Sequence, residues 1–291
     1  MIATAFRQLA ALSKPRIIAM LVLTALAGVA KASDGVPGIA VIVVVAVGGA
    51  LAAAGSNAIN QGLDADIDAV MRRTRGRPVP SQQVSRRTAI VVGAALVVLA
   101  AALFAALTNL VAAALTVAAS LVYVFVYTLV MKRRSWNNIV IGGAAGAFPP
   151  LIGATAVTGS IDVVGMYMFA LIFFWTPPHF WTLSMLLKDD YAAAGVPMLA
   201  AVAGHRETAA QVLLYVVLLI ALAWLPLVAG YGGITFALAA TALGAWWLWL
   251  AYRLWSGGPD RRRARAAYLY SLAYLAAVFV VLAAEPHLPW Y

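Results

Sequence analysis

Continuous apolar runs of roughly 17–25 residues recur along this chain, and no other feature constrains its fold as strongly. Within a bilayer the backbone has to satisfy its own N–H and C=O groups, which leaves helices or closed barrels. These runs are unbroken and do not alternate in ten-residue segments, so helices are expected. They fall at about 17–33, 38–60, 88–107, 110–130, 138–158, 163–186, 209–229, 233–253 and 267–284. The pattern predicts an all-α integral membrane protein, a bundle of about nine transmembrane helices forming a single domain over residues 1–291. Only 10% of the residues are charged and 64% are hydrophobic, against about 25% charged in soluble domains. No polar stretch is long enough to fold alone. No internal repeat is visible, which leaves a duplicated, transporter-like architecture without support.

Charge sets the expected orientation. Nineteen of the twenty lysines and arginines fall on one side of the predicted bilayer, from Arg7, Lys14 and Arg16 to the run Arg261–Arg265. Lys31 is the exception. Positive charge gathers on the cytoplasmic side, so the N-terminus is expected inside and the C-terminus outside, with Trp290 and Tyr291 as outer interfacial anchors. Ala30-Lys31-Ala32 has the look of a signal cleavage site, but the many later spans favour a retained helix. No mitochondrial transit pattern is seen, and a bacterial-type plasma membrane is expected. The net charge of +10 is then cytoplasmic charge suited to anionic lipid. Nucleic acid is not expected as a partner, because no folded domain could present that charge. The absence of cysteine excludes disulfides, thiolate nucleophiles and iron–sulfur ligation. His179, His205 and His287 are too widely spread to suggest a zinc site.

Scarce charge concentrates in one place. Three of the ten acidic residues, Asp64, Asp66 and Asp68, lie within five positions, and six basic residues follow between Arg72 and Arg87. If the second span continues as a helix through residue 68, Asn60, Asp64 and Asp68 share one face. Asn57 lies one turn earlier on nearly the same face, while Asp66 points elsewhere. Like charges one turn apart repel, and near a membrane they also cost desolvation energy. A divalent cation removes both penalties. Oxygen ligands without His or Cys suit Mg²⁺ completed by phosphate oxygens, and the following arginines are fork-shaped phosphate donors.

The string Asn57-xx-Asn60-xxx-Asp64-xxx-Asp68-xx-Met71-x-Arg73-Thr74-xx-Arg77-Pro78-x-Pro80 resembles the first aspartate motif of the UbiA superfamily of intramembrane prenyltransferases, in the form carried by its haem-farnesylating branch. A second stretch, Pro178-His179-Phe180-Trp181 followed by Lys188-Asp189-Asp190-Tyr191 and Ala194-Gly195-Val196-Pro197-Met198, is similar to the same branch. Elsewhere in the superfamily the second motif spaces its aspartates four apart. Here they are adjacent, which leaves open which of the two meets the metal. Ser13-Lys14-Pro15-Arg16-Ile17 and the segment from Tyr127 to Gly153 fit the branch as well.

The resemblance implies farnesyl diphosphate and haem b as substrates, Mg²⁺ as cofactor and an active site on the cytoplasmic side. It implies Asp64, Asp68, Asp189 and Asp190 as metal ligands and catalytic residues together with Asn60. Asn57, Arg73, Arg77, Lys132 and Lys188 are implied for the diphosphate, and His179 for haem. A downstream haem A synthase or terminal oxidase assembly is implied as a further partner. Two other readings stay open at this point. One is a prenyltransferase of the same superfamily acting on a quinone or chlorin precursor. The other is a transporter with an acidic ion site, disfavoured because the acids cluster at helix ends. Pro149-Pro150 and Pro177-Pro178 are expected to open or kink their helices beside a cavity. Gly142, Gly143 and Gly146 are expected to allow close packing. Trp246, Trp247, Trp249 and Trp255 are expected to face lipid or its interface.

Overall fold

The computed structural model of the chain describes residues 11–33 and 35–285, and among them every regular element is helical. Arg7, His287, Trp290 and Tyr291 lie outside the described residues. The membrane-length helices are α1 (Pro15–Ala32), α2 (Ile39–Leu63), α3 (Arg86–Leu107), α4 (Leu110–Arg134), α5 (Asn138–Thr158), α6 (Val163–Leu186), α7 (Gly204–Val228), α8 (Ile234–Ser256) and α9 (Arg261–Ala284). Eight of them are long and apolar enough to cross a membrane, and α1 carries the shorter apolar stretch Ile17–Ala32. Most helix ends match the hydrophobic runs because the bilayer selects for run length, but α7 and α9 begin about five and six residues before theirs, on the polar stretches 204–208 and 261–265. Polar side chains fix several starts: Ser85, Asn109, Asp162 and Asp260 each accept a backbone N–H of the following first turn. Such caps contribute about 1 kcal/mol each.

Successive helices pack as antiparallel neighbours. Helix α1 also crosses onto α5, and α9 returns to α6 and α1, closing the bundle. Apolar burial drives little association between helices in lipid, so close backbone approach matters. At the α1–α5 crossing, a Cβ on Gly28 would collide with the Pro150 carbonyl, and one on Gly153 with the Ala25 carbonyl. The Pro149-Pro150 pair therefore sits inside an unbroken helix at its contact with α1. Pro177 and Pro178 likewise lie within a continuous α6. Neither pair breaks its helix. Gly142 and Gly143 allow Tyr127 and Thr176 to approach, whereas Gly146 faces open space.

Two further expectations change. Trp246, Trp249 and Trp255 are exposed, but Trp247 is fully buried against Tyr274, with ring centroids 5.0 Å apart. Trp247 lies about 100° around the helix from Trp246 and about 200° from Trp249, which puts it on the face turned to α9 while the other two face out. In α4, the stretch Val122–Met131 forms a π-helix, whose i→i+5 ladder is rarely longer than a single turn.

Candidate functional site

The first acidic motif is built where α2 ends. The helix stops at Leu63 instead of running through residue 68, and Asp64 (φ −91°, ψ 11°) leads into a short helix, Ala65–Val70. The hydrogen-bond ladder survives the jog: the Asp64 N–H donates to the Asn60 carbonyl at 2.9 Å and the Asp68 N–H to the Asp64 carbonyl at 2.8 Å. Asn57, Asn60, Asp64 and Asp68 are consequently all buried, while Asp66 has a side chain 53% exposed. Arg133 grips Asp66 through two bonds of 2.7 and 2.8 Å and holds its carboxyl well below the usual range.

Burying two carboxylates demands partners. Lys132 Nζ pairs with Asp64 Oδ2, and Arg77 donates to Asp68 Oδ2 at 2.7 Å. Asn60 Nδ2 donates to Asp64 Oδ2 at 2.7 Å and to the Thr128 hydroxyl at 3.1 Å. The Tyr123 hydroxyl donates to Asn57 Oδ1 at 3.4 Å. The π-helical stretch thus brings Tyr123, Thr128 and, just past its end, Lys132 over the same motif, as π segments often do at functional sites.

Lys14 joins this group, although its charge alone had suggested only topology. It precedes Pro15 in a left-handed conformation (φ 56°), and its Nζ donates to Asn60 Oδ1 at 3.3 Å. The segment is held down by Asn57 and Gln61, which donate to the carbonyls of Ser13 (3.1 Å) and Leu12 (2.7 Å). Burial, then the Arg77 and Lys132 charges, lower the Lys14 pKa from 10.5 to about 7.

The second acidic motif lies at the end of α6 in the helix Lys188–Ala193. Tyr191, Val196 and Met198 pack with Ile67, Met71 and Ile139, so the two acidic segments abut. Asp190 forms an ion pair with Arg72 at 3.5 Å with its side chain 14% exposed. Lys188 and Asp189 are exposed and have no polar partner among the described residues. Arg73 is exposed and lies beside the Tyr191 phenol. Among the described residues, no three His, Cys, Asp or Glu side chains stand close enough to hold a metal by themselves. The four-aspartate ligand set is therefore not assembled. Asp64 and Asp68 are inside, Asp190 is at the rim and Asp189 is turned out. The inner pair still fits Mg²⁺, because Asp64 Oδ1 is buried with no hydrogen bond and all the donors are hard oxygens, to be completed by phosphate and water.

His179 is set in a different part of the bundle. Its ring is stacked between Trp175 (4.2 Å) and Tyr268 (5.1 Å), and Nδ1 lies 2.7 Å from the Ser271 hydroxyl. Ser271 spends its own proton on the Tyr268 carbonyl at 2.6 Å. The hydroxyl oxygen must then accept from Nδ1–H, and Nε2 keeps its lone pair. Among the described residues nothing bonds Nε2.

The UbiA prenyltransferase family model matches residues 21–284. A protein named protoheme IX farnesyltransferase from Parvibaculum lavamentivorans is 44% identical over 278 residues, covering 94% of this chain and 87% of that one. One from Bartonella quintana is 41% identical, with 96% and 90% covered. A relative of the same name from Thermus thermophilus is 47% identical over 96% of this chain, but the chain spans only 46% of its length. The fold is similar to the solved structure of a digeranylgeranylglyceryl phosphate synthase, with a TM-score of 0.79, 18% identity and coverage of 96% and 98%. It is also similar to a UbiA homologue from Archaeoglobus fulgidus bound to GPP and Mg²⁺, with a TM-score of 0.72, 16% identity and coverage of 94% and 99%. With a family match over nearly its whole length and relatives above 40% identity, this chain belongs to the UbiA prenyltransferase family.

Proposed function

We propose that this chain transfers the farnesyl group of farnesyl diphosphate to a vinyl group of haem b with addition of water, giving haem O and diphosphate. The observation that carries the reading is the buried cluster at the end of α2, in which Asp64 and Asp68 are each neutralised by a cation that could equally serve a diphosphate. The choice of haem as acceptor is supported by the names of the relatives and by the open Nε2 of His179.

Asp64 and Asp68 would hold Mg²⁺, with Asp190 as the better placed of the second pair. Magnesium, when bound, supplies a Lewis acid against the diphosphate. Asn60 orients Asp64 through its 2.7 Å bond, and Asn57 holds the Ser13 carbonyl beside Lys14, near the diphosphate. Lys132, Arg77 and Lys14 take up the charge that grows on the leaving group, which is stabilisation placed where charge develops. Arg73 and Lys188 act from the exposed rim. The allylic C–O bond breaks and its electron pair leaves with diphosphate. The vinyl π pair forms the new C–C bond, and the cation left on the haem side chain takes water and loses a proton. His179 holds the haem through Nε2. The whole chain works as one membrane domain, with its N-terminus and acidic motifs on the cytoplasmic side of the plasma membrane. A haem A synthase or oxidase assembly would consume the product.

The test is incubation of the purified protein with haem b, farnesyl diphosphate and Mg²⁺, followed by mass analysis of the pigment. A product heavier by one farnesyl group and one hydroxyl, with diphosphate released, is expected. Prenylation of a quinone or chlorin precursor with haem untouched would overturn the acceptor.

A further inference from the structure

A groove of about 330 Å³ runs between the cytoplasmic-end turns of α6 and the first turns of α9. Its α6 wall is Leu183, Leu186 and Leu187, and its α9 wall is Arg261, Arg265, Tyr268 and Leu269. Helical spacing makes each wall a stripe. Arg261, Arg265 and Tyr268 follow at i, i+4 and i+7, and His179 lies one turn before Leu183 on the leucine stripe. Tyr268 belongs to both features, since it lines the groove and stacks on the His179 ring. From Leu187 back to His179 is eight residues, or ~12 Å along α6.

The arginines here are unusual in two ways. Arg263 is paired with Asp260 at 3.4 Å, whereas Arg261 and Arg265 have no ion pair among the described residues. They also stand in the first turns of a helix, where the dipole disfavours cations. Orientation of the chain asks for positive charge near this end, but not for two unpaired guanidinium groups on the stripe that walls an apolar groove. The ligand that matches this wall is flat and apolar with carboxylates at one edge.

We propose that this groove binds the haem substrate, with its two propionates on Arg261 and Arg265 and its macrocycle passing Tyr268 toward His179. This rests on the haem reading of the preceding section. The guanidinium groups stay at the wet end, where charge-assisted bonds to carboxylate are made without burying a charge.

The test is the double variant Arg261→Gln/Arg265→Gln, with Arg262 and Arg263 left to maintain orientation. Haem b is titrated into the detergent-solubilised protein and followed by its Soret band, and KM is measured separately for each substrate. Two exposed ion pairs predict up to about tenfold weaker haem binding and a matching rise in KM for haem, with KM for farnesyl diphosphate moving less than twofold. Haem dimethyl ester, which lacks the carboxylates, should bind the wild type as weakly as haem b binds the variant, and the variant should not distinguish the two. Equal haem affinity in wild type and variant would overturn the groove while leaving the reaction intact. Absence of any haem binding by the wild type would overturn both. A variant that loses only retention of added phosphatidylglycerol, with haem affinity unmoved, would make the groove a lipid site and also refute the proposal.

Discussion

Replacing Lys132 with Met is the sharpest probe of the buried cluster. The substitution keeps the length of the side chain and deletes its charge. Asp64 is fully buried, so its carboxylate would keep only the Asn60 amide at 2.7 Å and the Arg133 guanidinium at 3.6 Å. Removing one partner of a buried pair costs about 3–5 kcal/mol. The two remaining contacts place the value near the lower end, about 3 kcal/mol. At roughly 2–4 °C per kcal/mol for a long chain, the unfolding midpoint should drop by about 6–12 °C. Tryptophan fluorescence in detergent with EDTA reads the transition. If Asp64 also holds Mg²⁺, the metal replaces the missing charge, and Mg²⁺ at ten times its Kd should restore about 1.4 kcal/mol. Adding Asp64→Asn to Lys132→Met removes the stranded charge and should bring stability back to within about 1 kcal/mol of wild type. A single variant as stable as wild type, or a double variant no better than the single, would refute the reasoning.

Two other outcomes are expected. Asp64→Ala and Asp68→Ala should abolish farnesyl transfer, whereas Asp66→Ala, which removes an exposed carboxylate paired with Arg133 and Arg86, should retain most of it; equal losses at all three positions would contradict the burial argument. Lys14 loses its proton near pH 7 when folded but near 10.5 when unfolded, so unfolding takes up a proton between those values and stability should fall as pH drops from 10.5 to 7, then level off; Lys14→Met should flatten that slope in melts run without diphosphate, and an unchanged slope would exclude Lys14 as its source.

The spans were legible because a bilayer imposes a length on every apolar run, and 138–158 and 163–186 coincide with α5 and α6. The shared face of Asn60, Asp64 and Asp68 was legible because the i→i−4 ladder runs through the jog at Asp64. Other features depend on distant partners. Lys14 lay in a stretch noted for its likeness to the family, but its position requires Asn57 and Gln61 to bind the Leu12 and Ser13 carbonyls. The partner of His179 is Ser271, in another helix. Hydropathy does not record the hydrogen-bond register, so the π-helical stretch was invisible. The outward turn of Asp189 depends on Tyr191 being drawn into the contact with Ile67 and Met71.

The π-helical stretch has a consequence for how the length of this chain can change. A ladder running i→i+5 holds more residues per turn than an α-helix, so it acts as a store of spare sequence. A residue deleted from Val122–Met131 can be absorbed by tightening the ladder, and the turns on either side keep their facing. The same deletion in Leu110–Leu121 has no slack to draw on and would turn Lys132 about 100° away from Asp64. Tolerance to loss of a residue in α4 is thus concentrated in the segment beside the buried carboxylates, at the expense of the bond from the Thr128 hydroxyl to the Tyr123 carbonyl.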